Sequence, residues 1–126
     1  WPDLFRIHCS CALAFYHAHP VAMRLLLGAE GGWQIRSADL DANLQIGRIQ
    51  YQRLLRHFVV AGSAPLERAL PVSMTIGDAI WALSFARDGA VTDEMAAESL
   101  NARVAYLRLY IAEHAPRRDH PLGMLP

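Results

Sequence analysis

Two cysteines and three histidines lie close together near the start of the chain, and their side chains are types that bind metal ions. His8 and Cys11 are three residues apart, so on a helix they share one face. The other members of the group are Cys9, His17 and His19. The group lacks the paired ligand spacing of a structural zinc site, and a buried cysteine often acts as a small apolar side chain. We therefore expect neither a bound metal nor another cofactor.

Haem binding and catalysis are the other chemistries that single residues suggest. His57, within LLRHFVVAG, is a conceivable haem ligand, but the edge of an amphipathic helix accounts for it more simply. Ser10, Ser73 and Ser84 do not stand in the sequence context of a nucleophile elbow. The sequence contains no glycine-rich phosphate loop and suggests no pair of catalytic carboxylates. We expect the protein not to be an enzyme.

Length and composition indicate one globular domain. The chain has 126 residues, of which 53% are hydrophobic and 19% are charged, and this balance argues against disorder. Twelve basic residues balance twelve acidic ones, so no overall field attracts nucleic acid or an acidic membrane. Arg24, Glu30 and Arg36 interrupt the likeliest apolar run before it reaches the ~20 residues that span a bilayer. Two cysteines that cannot pair within one helix favour a reducing, cytoplasmic location.

Apolar periodicity predicts an all-α domain of five to six helices over residues 1–114, followed by an irregular tail at 115–126. Pro20 breaks the first helix, because the residue before proline is pushed out of the helical region. Gly62 and Gly89 stand where left-handed helix ends are expected, and Thr75 with Asp78 has the spacing of a helix-capping pair. The predicted helices span 4–18, 21–27, 39–61, 75–88 and 92–114. The segments 29–37 and 62–71 are predicted connections, the second with one possible helical turn at 66–69.

The predicted helices carry more apolar surface than a domain of this size covers easily. The last two each have two apolar sides, which indicates either a partner surface or a cavity between helices. His8, Ser10 and Tyr51 place polar groups within otherwise apolar stripes. A mostly apolar wall with a few polar groups is typical of a small-molecule pocket.

The order of these elements resembles the C-terminal domain of TetR-type transcriptional regulators. The segment AFYHAHPVAMRLLLGAE resembles that family's helix, proline break and short helix. The segment LDANLQIGRIQYQRLLRHFVVAG resembles its next, long helix. SMTIGDAIWALSFARDG and TDEMAAESLNARVAYLRLYIA resemble its final two helices. The resemblance covers approximately residues 3–113.

The resemblance implies a homodimer in which the last two helices of each copy form a four-helix bundle, with a small apolar or amphipathic effector bound among the preceding helices. The implied dimer contacts are Leu83, Arg87, Leu100, Val104, Leu107 and Ile111. The implied pocket residues are His8, Cys11, Phe15, Trp33, Tyr51, Leu55, Trp81 and Phe85. The family's helix-turn-helix is not found in this sequence, so DNA binding would need an N-terminal domain outside this chain. The sequence begins with Trp1, Pro2 and Asp3 and has no initiator Met, so we expect the chain to be a fragment, a processed form or the ordered part of a longer protein.

The chief alternative is a helical protein-interaction module without a small-molecule pocket. In that case the apolar excess of the last two helices would contact another protein. Asp78 also has two interpretations, because it could cap a helix or, as a buried acid, contact a ligand.

Overall fold

The structure is a computed structural model that describes residues 1–121 and 123 of the chain. It is all-helical and comprises α1 (Pro2–Ala18), α2 (Pro20–Leu27), α3 (Gly32–His57), α4 (Ala64–Asp88) and α5 (Asp93–Leu107), with a 3₁₀ turn at Ala29–Gly31. The described residues form no β-strand, and Phe58 and Arg117 make an isolated bridge. The predicted all-α class is confirmed. α4 packs against both α3 and α5, and α1 packs against α5.

The break between α1 and α2 lies where the sequence predicts it. α1 ends before His19, whose φ of −131° and ψ of 70° lie outside the helical region. Pro20 then begins α2, where its missing N–H costs no helical hydrogen bond. Gly28 ends α2 in an extended conformation. α1 and α2 are therefore separate helices that meet at an angle; α1 packs against α5, and α2 packs against α4 and α3.

The third helix differs from the prediction at both ends. It begins at Gly32, which has a φ of 61°, and it includes most of the segment 29–37 that was predicted as a loop. It ends at His57 rather than at residue 61, because Phe58 is extended. At this point the Val59 N–H donates to the Pro116 carbonyl at 2.8 Å. The pairing with the tail replaces the last helical turn that the sequence suggested.

The residues of α3 that point into the interior also differ from those that the sequence predicts. The spacing of apolar residues in the sequence predicts a stripe formed by Leu40, Leu44, Gly47, Tyr51, Leu55 and Phe58. Leu44 is instead 49% exposed, and the buried residues of the helix are Asn43, Gly47, Gln50 and Leu54. Two amide side chains therefore lie where periodicity alone would place apolar ones. They need polar partners in the interior, and this requirement locates the site described below.

The fourth helix is continuous through Pro71, whereas the sequence predicted a connection over 62–71 and a start at Thr75. Ser63 caps the helix, since its Oγ accepts a hydrogen bond from the Leu66 N–H at 3.3 Å. Thr75 lies inside the helix, and its hydroxyl donates to the Pro71 carbonyl at 3.3 Å. The proline ring packs closely against α3, because a Cβ added to Gly47 would lie 2.7 Å from Pro71 Cδ. The predicted capping role of Thr75 and Asp78 is wrong.

The turn from α4 to α5 is as predicted at its two ends. Gly89 ends α4 with a φ of 73°, and the Thr92 Oγ1 caps α5 by accepting a hydrogen bond from the Met95 N–H at 3.3 Å. α5 ends at Leu107, earlier than the predicted 114. The Ile111 N–H bonds the Leu107 carbonyl at 2.9 Å, which adds one turn before the irregular tail. Of the predicted tail 115–126, Leu122 and residues 124–126 lie outside the described residues.

The hydrophobic core consists of two clusters. The first is built around Phe5, Leu54, Leu70 and Leu107, and the second around Cys9, Tyr16, Met23 and Trp81. Arg103 contacts both, since its guanidinium lies over the Phe5 ring and donates to Cys9. The two clusters therefore meet at a buried charged side chain.

Within the described residues, α4 alone is long and apolar enough to cross a membrane by length and composition. The expectation of no spanning segment was based on the interruptions at Arg24, Glu30 and Arg36, which all lie outside α4. A central helix of a folded domain passes the same test, so the length and composition of α4 are weak evidence for a membrane-spanning helix. α4 packs against α2, α3 and α5.

Candidate functional site

A cavity of about 290 Å³ lies between the helices, and all five contribute to its wall. The lining is largely apolar, which suits the body of an organic molecule, and it includes a small group of polar side chains. The lining residues are His8, Ala12, Phe15, Tyr16, Leu26, Asp39, Ala42, Asn43, Ile46, Met74, Gly77, Asp78, Trp81, Ser99 and Arg103.

Arg103 is the most unusual of these residues, because its side chain is only 3% exposed. One terminal nitrogen, Nη1, donates to the Cys9 Sγ at 3.0 Å. The other, Nη2, donates to the Gln50 Oε1 at 3.3 Å and to the Met74 Sδ at 2.9 Å. Two of the three acceptors are sulfur atoms, which accept hydrogen bonds weakly. A buried cation is therefore held by weak partners at the wall of a cavity.

A carboxyl–amide pair, Asp78 and Asn43, also lines the cavity. The Asn43 Nδ2 donates to the Asp78 Oδ2 at 2.5 Å and joins α3 to α4. Burial raises the pKa of the Asp78 carboxyl, against the lowering effects of the Asn43 hydrogen bond and of the Arg103 charge. Asp78 is thus a half-buried acid at the wall of the cavity and not a helix cap, and its contact with a ligand stays a prediction.

Asp39 lies at the edge of the same cavity and has its own partner. The Arg36 Nη1 lies 2.8 Å from the Asp39 Oδ2, one helical turn away on α3. Burial raises the pKa of Asp39, while the charge of Arg36 lowers it. The negative charge of Asp39 is therefore matched locally.

Several buried polar nitrogens of the cavity residues have no hydrogen-bond partner. In the described part of the chain, four such side-chain nitrogens occur, and three belong to cavity-lining residues: His8 Nδ1, Trp81 Nε1 and Arg103 Nε. Buried polar groups in folded proteins nearly always find partners. A concentration of unpartnered nitrogens around one cavity is the arrangement expected where a ligand supplies acceptor atoms.

Burial also fixes the protonation of the two titratable rings of α1 that line the cavity. Burial lowers the pKa of His8 to about 4, with the charges of Arg103 and Arg53 acting in the same direction. Burial raises the pKa of the Tyr16 phenol, and the charges of Asp78 and Asp39 add to the effect. Both rings are therefore neutral near pH 7.

The structure brings three of the eight predicted pocket residues to the cavity: His8, Phe15 and Trp81. Two of the others are on the surface, since Cys11 is exposed and Trp33 is 75% exposed. Tyr51, Leu55 and Phe85 are half-buried away from the lining. Trp33 lies in the first turn of α3, in a segment that was predicted as a loop.

The predicted dimer contacts divide into two groups. Leu83 is 59% exposed and Arg87 is also exposed, so both remain open to a second copy. Leu107 and Ile111 are 0% and 2% exposed within the single chain. Val104 is buried in the same cluster and Leu100 packs against it. The assignment of Val104, Leu107 and Ile111 to an intersubunit surface is corrected, because these side chains fill the core of their own chain.

The polar residues of the site were mostly missed by sequence reasoning. The side chains that contact Arg103 and Asn43 are distant in the sequence, so nothing in the sequence distinguishes these two residues from polar surface residues of a helix. The available signal was Gly77, one turn of helix from Ser73 and next to Asp78. A Cβ added to Gly77 would lie 2.7 Å from the Arg103 Cδ, so the glycine is what lets α5 bring the arginine inside.

The histidine and cysteine residues of α1 do not converge. Cys9 is buried against Arg103, and Cys11 is exposed on another side of the helix. His17 and His19 bond backbone carbonyls instead, at 3.4 Å and 2.8 Å. Across the described residues, no three metal-ligating side chains form a group that could hold an ion.

Comparison of the chain with protein-family models, with curated proteins and with solved structures finds no match. The functional argument therefore depends on the site itself.

Proposed function

We propose that this chain is the effector-sensing and dimerisation domain of a TetR-type transcriptional regulator, and that its cavity binds a small amphipathic molecule. The single observation that carries the proposal is the cavity whose wall contains unpartnered buried nitrogens. An apolar enclosure with a few convergent polar groups is the usual form of a small-molecule site. The element order supports the regulator class through the resemblance described above.

The position of the cavity suggests how binding would act on the rest of the protein. Its wall includes residues of α1 and α2 as well as α3, α4 and α5, so a ligand contacts every helix at once. A ligand that prefers one arrangement of the short helices shifts the population towards it. In a longer protein, that shift would move DNA-binding heads attached before α1 and carried by two copies of the chain.

Closing the cavity tests the ligand-binding part of the proposal. Ala42 and Ala38 are both exposed and lie one helical turn apart on α3, but only Ala42 lines the cavity. We expect a screen of small amphipathic compounds to give saturable ligands that raise the melting temperature of the unmodified chain. Ala42→Trp should abolish this effect and the matched variant Ala38→Trp should preserve it. Equal effects on both variants would contradict binding in the cavity.

The buried tryptophan provides a second readout. Trp81 lines the cavity and is 4% exposed, whereas Trp33 is 75% exposed. A ligand in the cavity should therefore change the fluorescence of the unmodified chain and of Trp33→Phe, but not that of Trp81→Phe.

The alternative function, a helical interaction module, is favoured by the exposed apolar side chains. Trp33, Leu109 and Ile7 are 75%, 74% and 64% exposed. Failure of every compound to bind saturably, together with a monomeric chain that associates with another protein, would favour the module.

A further inference from the structure

The charge of Arg103 has no close counter-charge in the described part of the chain. Its side chain is 3% exposed, and no carboxylate oxygen there lies within 4.0 Å of its guanidinium nitrogens. Buried charged groups are normally paired, because taking an unpaired ion out of water costs several kcal/mol. Asp39 pairs with Arg36, and Asp78 bonds Asn43. Arg103 therefore lines the cavity without a carboxylate paired to its guanidinium.

The hydrogen bonds of the guanidinium are also incomplete. Arginine has five N–H donors. Here the guanidinium makes three hydrogen bonds, which go to Cys9, Met74 and Gln50. Nε has no partner. The Phe5 ring, 5.7 Å from the guanidinium carbon, adds an attraction to the cation without accepting a conventional hydrogen bond. An oxygen anion would be a stronger acceptor than either sulfur atom.

The rest of the wall suits an apolar ligand body. Phe15, Leu26 and Ile46 come from three different helices and line the same cavity as Arg103. The ring of His8, neutral near pH 7, adds no second positive charge. One unmatched positive charge beside an apolar space corresponds to a ligand with one negative charge and a hydrocarbon body.

We propose that the effector is an amphipathic monocarboxylate whose carboxylate binds the Arg103 guanidinium while its hydrocarbon body fills the cavity. This inference rests on the proposed function and adds the chemical class of the ligand. The planar guanidinium can hold both oxygens of a carboxylate side by side. Asp78 in the same cavity disfavours a doubly charged phosphate more strongly than a monocarboxylate, because only Arg103 is available there as a counter-charge.

Three probes with the same hydrocarbon body and different head groups test the class. Octanoate, 1-octanol and octylamine are titrated separately into the unmodified chain at pH 7 by calorimetry. We expect octanoate to bind at least about tenfold more tightly than 1-octanol, because a hydrogen bond to a charged group contributes more than one to a neutral group. Octylamine should bind more weakly than both.

Substitution of the arginine tests which side chain selects the head group. Arg103→Gln should remove the preference for octanoate and leave 1-octanol binding within about threefold, since only the charged contact is lost. Arg56→Gln is the matched control, because Arg56 also has an unpartnered buried Nε but does not line the cavity. It should keep the full preference. The comparison of probes on the unmodified chain needs no variant, so it decides the proposal even if Arg103→Gln unfolds.

The outcomes separate the two proposals. Equal binding of octanoate and 1-octanol, or tighter binding of octylamine, would overturn the carboxylate inference and leave a small-molecule site in place. A preference for octanoate that survives Arg103→Gln in a folded protein would also overturn it. Saturable binding by none of the probes, with none from the wider screen, would overturn the proposed function as well.

Discussion

At the scale of single residues, the protein places polar groups where an ordinary helical core is apolar. Arg103, Asn43 and Gln50 are each no more than 5% exposed, and Asp78 lines the cavity beside them. Replacing such a network with apolar side chains is often neutral or stabilising for folding. The network is therefore better explained by binding than by stability, and its residues are the ones that functional experiments should change.

The neutral ring of His8 gives a pH-dependent stability. Its pKa is about 4 in the folded chain and 6.5 in the unfolded one, so between these values the unfolded chain binds more protons. This contribution to stability is present above about pH 6.5 and is lost as pH falls towards 4. After discounting for partial exposure, we expect a loss of about 1–2 kcal/mol.

The measurement is urea unfolding at pH 7 and at pH 5 for the unmodified chain and for His8→Gln. The variant should lose less stability than the unmodified chain across this interval, and NMR titration of the His8 ring should show the lowered pKa directly. An unchanged pH dependence in the variant would contradict the assignment.

At the scale of helices, two close contacts determine how α4 is held. A buried serine joins it to α5, and a proline in its middle packs on a glycine of α3. Each contact depends on one small side chain, so each can be tested by changing one residue.

The Ser84 hydroxyl connects both sides of the turn between α4 and α5. It accepts a hydrogen bond from the Thr92 N–H at 3.1 Å and donates one to the Ala90 carbonyl at 2.9 Å. Ser84→Ala should lower the free energy of unfolding by about 1–3 kcal/mol, because it leaves a buried donor and acceptor unpaired. Ser10→Ala, at an exposed site on α1, should change it by less than about 0.5 kcal/mol. Chemical denaturation of both variants measures the two changes in the free energy of unfolding. An equally small change in Ser84→Ala and Ser10→Ala would contradict the prediction.

The contact between α3 and α4 at Gly47 leaves no room for a side chain. A Cβ there would lie 2.7 Å from both the ring Cδ and the backbone nitrogen of Pro71. Gly47→Ala should therefore destabilise the protein by about 1–2 kcal/mol, even though alanine favours an isolated helix. Gln45→Ala, exposed on the same helix, should not destabilise it. Thermal unfolding gives the comparison, and a stabilised Gly47→Ala would show that the helices separate easily.

At the scale of the whole molecule, the question is whether two copies associate and through which surface. Leu83 and Arg87 are the predicted dimer residues that remain exposed. The core positions Val104 and Leu107 are unsuitable for testing association, because a charge there would disrupt the chain itself.

We expect the unmodified chain to be a dimer by light scattering over a tenfold range of concentration, and Leu83→Arg to be a folded monomer. The added charge would be buried without a partner in the interface. Gln52→Arg, exposed on α3, is the control and should remain dimeric. A monomeric unmodified chain would contradict the predicted dimer and would favour the interaction module.

The sequence by itself determined the class of fold and most of the places where helices begin and end. Pro20, Gly89 and Thr92 act through their own backbone or their nearest neighbours, so their effects are visible without knowledge of the fold.

Only the tertiary structure decided that α4 continues through Pro71 and that Arg103, Asp78 and Asn43 meet inside. Proline ends a helix unless packing on both sides holds it, and here Gly47 of α3 provides the close contact. A polar side chain is stable in the interior only when partners from other helices reach it, and those partners are distant in the sequence. The path of α4 and the composition of the cavity are both consequences of how the helices pack together.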